Sequence, residues 1–172
     1  MKIAILSVTN QGKKISDILY ENLVINPLIL NVTQYHKNII PTVNDIFDKY
    51  DCIIGIMASG IMIRAIAPHV TSKLSDPAVL LIDDNSNFVI SMLSGHFGGA
   101  NDLTVKIANI LDSTPVITTS TDVNNKIGID SIAKRYYCNL ENPENIKFIN
   151  RALVQNVKVD LFLPEKYSYI LA

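Results

Sequence analysis

The chain lacks the features that would mark several specialised classes of protein. Its only cysteines are Cys52 and Cys138, and they form no Cys-x-x-Cys pair. That excludes a disulfide framework and a cysteine-based zinc site, and it leaves two reduced, partly buried thiols, as in a cytosolic protein. No apolar run approaches the roughly 20 residues that a membrane-spanning helix needs. The opening residues 1–7 form a short apolar stretch that turns polar too soon for a signal peptide, so the expected location is the cytoplasm. Net charge is only −1, which leaves no electrostatic footprint for nucleic acid or a membrane surface. Internal repeats and low-complexity segments are absent, as are the Gly-x-Gly-x-x-Gly fingerprint and the P-loop, which argues against a dinucleotide or nucleoside triphosphate.

What is present is a globular composition. Apolar residues make up 48% of the 172 residues and charged residues 18%, enough for a core and too apolar for disorder. The length suits one domain, or one domain and the beginning of another. Short apolar segments at 2–8, 28–30, 52–57, 78–82, 88–92, 115–118, 157–163 and 169–172 read as strands. Stretches of helical period separate many of them. These lie near 12–22 (Ile15, Ile18, Leu19 and Leu23 on one face), from about Pro41 to Lys49, at 61–67 before Pro68, at about 99–111, from Asp130 to about Tyr137, and from Asn142 to about Val154. The run 52–57 is apolar at nearly every position, as in a parallel strand buried on both faces. Residues 83–87, Asp-Asp-Asn-Ser-Asn, read as a hairpin turn. The pattern predicts an α/β fold with a doubly wound, mostly parallel sheet and helices on both faces.

Ligands of such sheets bind where strands end and helices begin. Three junctions stand out. One is Ala58-Ser59-Gly60 followed by Arg64. The second is Ser94-Gly95-His96-Phe97-Gly98-Gly99-Ala100-Asn101. The third is Thr118-Thr119-Ser120-Thr121-Asp122. All three share one edge of the sheet if their strands run parallel. In the second, Gly98 and Gly99 allow a sharp turn and close approach to a ligand, and the following helix offers amides and a positive dipole end to an anion. His96 carries an imidazole whose ordinary pKa suits proton transfer near neutrality, although a backbone hydrogen bond would also account for it. Arg64 reads either as a solvated side chain or as a carboxylate anchor. Asp122 reads as a turn cap or as a group orienting His96 or a water. His36 and His69 have no supporting neighbours in sequence, and Asp76-Pro77 reads as a turn. No spacing supports a protein metal site.

These segments resemble the CbiG family of cobalamin biosynthesis. The resemblance rests on residues 56–68, on Asp76-Pro77-Ala78-Val79, on residues 89–101 and on residues 115–124, four segments in the family's order. It implies a cobalt-precorrin-5A hydrolase that opens the ring-A acetate δ-lactone with water and releases acetaldehyde, giving cobalt-precorrin-5B. It implies His96 and Asp122 as catalytic residues, and Ser59, Gly60, Arg64, Ser94, Gly95, Gly98, Gly99, Ala100, Asn101, Thr119 and Thr121 as substrate-binding residues. No cofactor is implied, since cobalt comes with the substrate. The implied partners are the small-molecule corrinoid and either a C-terminal CbiG domain or a second copy of the chain. The expected organisation is an N-terminal domain over 1–140 and the start of a middle or linker region over 141–172, with the C-terminal domain absent. The alternative is a non-catalytic module that binds a corrinoid or a partner. A generic sugar-phosphate or nucleotide domain would not explain four ordered segments.

Overall fold

In a computed structural model, residues 1–136 and 138–171 are described. The chain packs as two compact units, Met1–Ile117 and Thr118–Ala172. Packing therefore divides at 117/118, while the sequence expectation places its boundary at 140/141.

The first unit is a six-stranded sheet. Strands β1 (Lys2–Ser7), β2 (Asn31–His36), β3 (Cys52–Ile56), β4 (Ala78–Ile82), β5 (Phe88–Leu93) and β6 (Thr114–Val116) lie in the order β2-β1-β3-β4-β5-β6. The first five positions follow a common doubly wound order. β1 to β4 run parallel, β5 runs antiparallel to β4, and β6 runs parallel to β5. Helices α1 (Asn10–Val24), α2 (Ile39–Ile46), α3 (Ser59–Ile66) and α4 (Ala100–Leu111) cover both faces.

The two faces follow from strand alternation. Ile3, Ile5, Ile54, Ile56, Leu80 and Ile82 pack with Ile15, Leu19 and Leu23 of α1 and with Leu103 and Ile107 of α4. Ala4, Leu6, Ile53, Val79 and Leu81 pack with Val43 and Phe47 of the α2 segment and with Met62 and Ala65 of α3. β1 thus hands its helix to one face and β3 to the other, which opens a crevice at their C-terminal ends. β3 and β4 are buried at every position, as their unbroken apolar runs predict. Cys52 is fully buried, and burial, with a contribution from the Asp51 charge, pushes its thiol up to about 12, so it is inert. Cys138 is exposed rather than partly buried.

Four elements differ from the sequence reading. The second strand is 31–36, not 28–30, because Leu28 and Leu30 lie exposed beyond the sheet. Ile18 points to solvent while Ile15, Leu19 and Leu23 form the packed stripe of α1. Residues 157–163 form no strand, and residues expected as a last strand belong to a 3-10 helix, Glu165–Leu171. Tyr137 and Ala172, the expected ends of a helix and of that strand, lie outside the described residues.

The second unit holds α5 (Ser120–Val123), α6 (Ile129–Arg135), a 3-10 turn Pro143–Asn145 and α7 (Ile146–Val154). Asn150 ties α6 to α7. Its carbonyl accepts from the Ile129 amide and its amide donates to the Asp130 carboxylate, both at 2.9 Å. No described helix is long and apolar enough to cross a membrane.

The packing assignment for α1 has a direct test. Leu19→Ala should cost about 2–5 kcal/mol, as large-to-small core changes do. Ile18→Ala should stay within about 0.5 kcal/mol. Urea denaturation of both variants measures this, and equal losses would contradict the assigned stripe.

Candidate functional site

The direction of β5 decides which expected site residues meet. Ala58, Ser59 and Gly60 follow the C-terminal end of β3, where the parallel strands also end. β5 runs the other way, with Leu93 opposite Val79, so residues 94–101 emerge beside the start of β4. β6, parallel to β5, heads towards that same edge. The expectation that the three junctions share one edge is corrected by this reversal. Ser59, Gly60 and Arg64 stand at the edge opposite His96. With β3 five residues long, the two edges are roughly 15 Å apart at about 3.3 Å per residue.

The Ser94 edge is tightly self-bonded. Ser94 is buried in the left-handed conformation (φ 56°), and its hydroxyl donates to the Asp76 carbonyl at 3.0 Å. Asn101 is buried and accepts from the Ser91 hydroxyl at 2.7 Å. The Gly99, Ala100 and Asn101 amides donate to the carbonyls of His96, Ser94 and Gly95 at 3.0, 3.2 and 3.0 Å. The first amides of α4 therefore already have partners, and the loop's shape uses the donors that an anion would need. Gly98 permits the closure: a Cβ there would lie 2.4 Å from Ser94 Cβ and 2.7 Å from the Ser94 carbonyl oxygen. Gly99, with φ 84°, supplies the left-handed residue before α4. Gly95 and His96 are half-buried and Phe97 is exposed.

Asp76, read in sequence as a turn residue, anchors the neighbouring loop. Its carboxylate accepts from the Thr71 and Ser72 amides at 3.0 Å each and from the Thr71 hydroxyl at 2.9 Å. Burial would raise its pKa, but the bonds from Ser72, Thr71 and Ser75 outweigh burial and hold it below the usual carboxylate value. A cleft of about 380 Å³ runs between this loop and Phe97-Gly98, with Asp48 and Asp51 on its wall. His96 does not line it.

At the opposite edge, Arg64 is exposed and its guanidinium donates back to the Gly60 carbonyl at 2.9 Å. Two pairs there escaped the sequence reading. The buried Ser7 hydroxyl lies 3.0 Å from His36 Nδ1, and the Thr9 hydroxyl donates to Asp84 while capping α1 through the Gly12 amide. The residues of each pair are far apart in sequence, and only strand register brings Ser7 opposite His36.

In the second unit, Thr119 precedes α5 and Thr121 is buried within it. Their hydroxyls donate to the Asp122 carboxylate at 2.6 and 3.2 Å. Among the described residues no group of three or more His, Cys, Asp or Glu side chains is placed to hold a metal ion.

The fold and loops define a doubly wound α/β protein with a histidine-bearing glycine loop at the end of β5, the strand reversed by the hairpin. Within that class the chain belongs to the CbiG family: residues 41–122 match the family described as cobalamin synthesis G N-terminal. The chain is 43% identical over 122 residues to the cobalt-precorrin-5A hydrolase of Salmonella typhimurium, covering 70% of this chain and 35% of that protein. It is 37% identical over 129 residues to the Priestia megaterium protein of the same name, covering 75% and 34%. A probable cobalt-precorrin-5A hydrolase of Methanocaldococcus jannaschii is 30% identical over 170 residues, covering 98% and 50%. The crystal structure of a cobalamin biosynthesis protein G homolog from Sulfolobus solfataricus matches with a TM-score of 0.57 and 33% identity, covering 95% of this chain and 51% of that one. The chain thus spans about a third to a half of these relatives' length.

Two predictions follow from the loop geometry. Gly98→Ala should cost about 1–3 kcal/mol through overpacking against backbone, read from the denaturation midpoint. An unchanged midpoint would contradict the closure. Asp76 has a folded pKa below its unfolded value of about 3.9, so its stabilisation is present above that value and fades as pH falls through the folded pKa. The gap in Tm between the native chain and Asp76→Ala should therefore narrow below about pH 4. A gap independent of pH would show that the carboxylate charge does not hold the loop.

Proposed function

We propose that the chain is the N-terminal part of a cobalt-precorrin-5A hydrolase, acting at the edge formed by residues 94–101. The observation that carries the reading is the family match over 41–122, which contains the whole loop and the Asp76 segment bonded to it. The substrate brings its own cobalt, and the proposal includes no protein cofactor. The reading takes the rest of the family's length, or a second copy of the chain, as the protein partner.

In the proposed reaction His96 takes a proton from water, and the hydroxide attacks the lactone carbonyl. The ester C–O bond breaks, leaving a carboxylate and an alcohol that receives the proton. Loss of the alcohol proton then breaks the adjacent carbon–carbon bond. Acetaldehyde leaves, and the electron pair stays on the macrocycle, which is reprotonated. One water is consumed. The amides of Gly99 and Ala100 are engaged within the loop, so α4 assists the developing oxyanion through its dipole rather than through those donors. Ser94, Gly95, Gly98 and Asn101 serve by holding the loop's shape. Thr119, Thr121 and Asp122 form a hydroxyl–carboxylate cluster that we assign to substrate contact. Ser59, Gly60 and Arg64, at the other edge, act apart from the lactone.

A second reading, a corrinoid-binding module without turnover, is favoured by the engagement of the Gly99, Ala100 and Asn101 amides within their own loop, which withholds them from an oxyanion. Incubating the chain with cobalt-precorrin-5A and measuring acetaldehyde separates the two. The hydrolase reading expects product, a loss of at least about 100-fold in His96→Ala, and less than about threefold change in kcat for Arg64→Ala. Binding without product supports the module. Undiminished turnover by His96→Ala removes His96 from the chemistry.

A further inference from the structure

We infer that the second unit contains an oxyanion pocket, formed by Lys147 and Arg151 of α7 with Ser120 and Thr121 of α5, that takes a carboxylate arm of a small-molecule ligand. These residues line one cavity of about 320 Å³. That volume admits a short carboxyalkyl arm. Identifying the ligand as the corrinoid's side chain rests on the hydrolase reading above; the pocket itself does not.

Three observations carry the assignment. Lys147 and Arg151 are four residues apart, so they share one face of α7 and repel each other. Neither has an acidic partner among the described residues. Within α7, Asn150 beside Arg151 donates its amide to the Asp130 carboxylate. Lys147 Nζ lies 4.9 Å from the Phe148 ring centroid, a contact that uses none of its N–H donors for a carboxylate. Two adjacent cations with no carboxylate partner among the described residues, lining one cavity with Ser120, form a site whose missing component is an anion. Arg151 offers a planar fork for two carboxylate oxygens, Lys147 a point charge, and Ser120 a neutral donor. In the first unit, by contrast, the cleft beside Gly98 has Asp48, Asp51 and Asp76 on its wall, and Arg64 is turned onto Gly60 at the far edge. The pocket in the second unit is therefore a better match for a single carboxylate arm than the acidic cleft beside Gly98.

The test is titration of the whole chain with succinate by amide NMR at fixed ionic strength, with sodium chloride and inorganic phosphate as parallel arms. The assignment expects saturable shifts confined to residues near 120–121 and 147–151. It expects at least a tenfold loss of affinity in the Lys147→Gln, Arg151→Gln double variant, and an intermediate loss in Arg151→Lys, which keeps the charge and removes the fork. Non-saturable shifts, or unchanged affinity in both variants, would overturn the pocket. Tighter binding of phosphate than of succinate would overturn the carboxylate assignment. No corrinoid or turnover enters this measurement, so its failure is distinct from failure of the hydrolase reading.

Discussion

The Asp83 carboxylate closes the turn between β4 and β5 by accepting from the Asn85 amide, the Asn87 side chain and the Phe88 amide. A two-strand hairpin reverses the chain, whereas the parallel strands before it return through helices. Because β5 comes back antiparallel, its end lies at the start of β4, and everything downstream in the first unit inherits that direction. The glycine loop is delivered to the edge where the parallel strands begin. The crevice that a doubly wound sheet normally offers to ligands is left with Ser7, Thr9, Ser59 and Arg64. One turn therefore separates an imidazole from a guanidinium that would otherwise belong to a single site.

The glycine loop is shaped by its own hydrogen bonds. Ser94 reaches across to Asp76, whose carboxylate in turn gathers Thr71, Ser72 and Ser75. Gly98 removes the side chain that would strike Ser94. Buried polar groups are costly unless paired, and here Ser94 is paired by the Asp76 loop and Asn101 by Ser91 of β5. The result is a preformed platform carrying a half-buried His96 and an exposed Phe97.

Much of this was legible in the sequence. The fully buried β3 and β4 are unbroken apolar runs, and Pro68 closes α3. The hairpin at 83–87 is written in Asp and Asn. The α/β class and the family follow from the same segments. The edge strand β2 was not legible: its sequence, Asn-Val-Thr-Gln-Tyr-His, is half-exposed and polar, while the adjacent apolar Leu28 and Leu30 remain in solvent. Residues 157–163 alternate as a strand would, but a strand needs a hydrogen-bonded neighbour, and period alone does not provide one. The separation of Arg64 from His96 was hidden for a related reason. A hairpin can be read locally, but which sheet edge its far end reaches depends on register. Lys147 and Arg151 belong to no motif, and only the placement of α7 beside α5 brings them to one cavity with Ser120.

In the proposed function the corrinoid engages the edge built by the Ser94 loop and the Asp76 loop. Hydrogen–deuterium exchange of the whole chain with and without cobalt-precorrin-5A tests it most directly. Engagement of that edge slows exchange at residues 71–78 and 94–101 with little change at 57–64. Protection at 57–64 with none at 94–101 would place the substrate in the opposite crevice and contradict it.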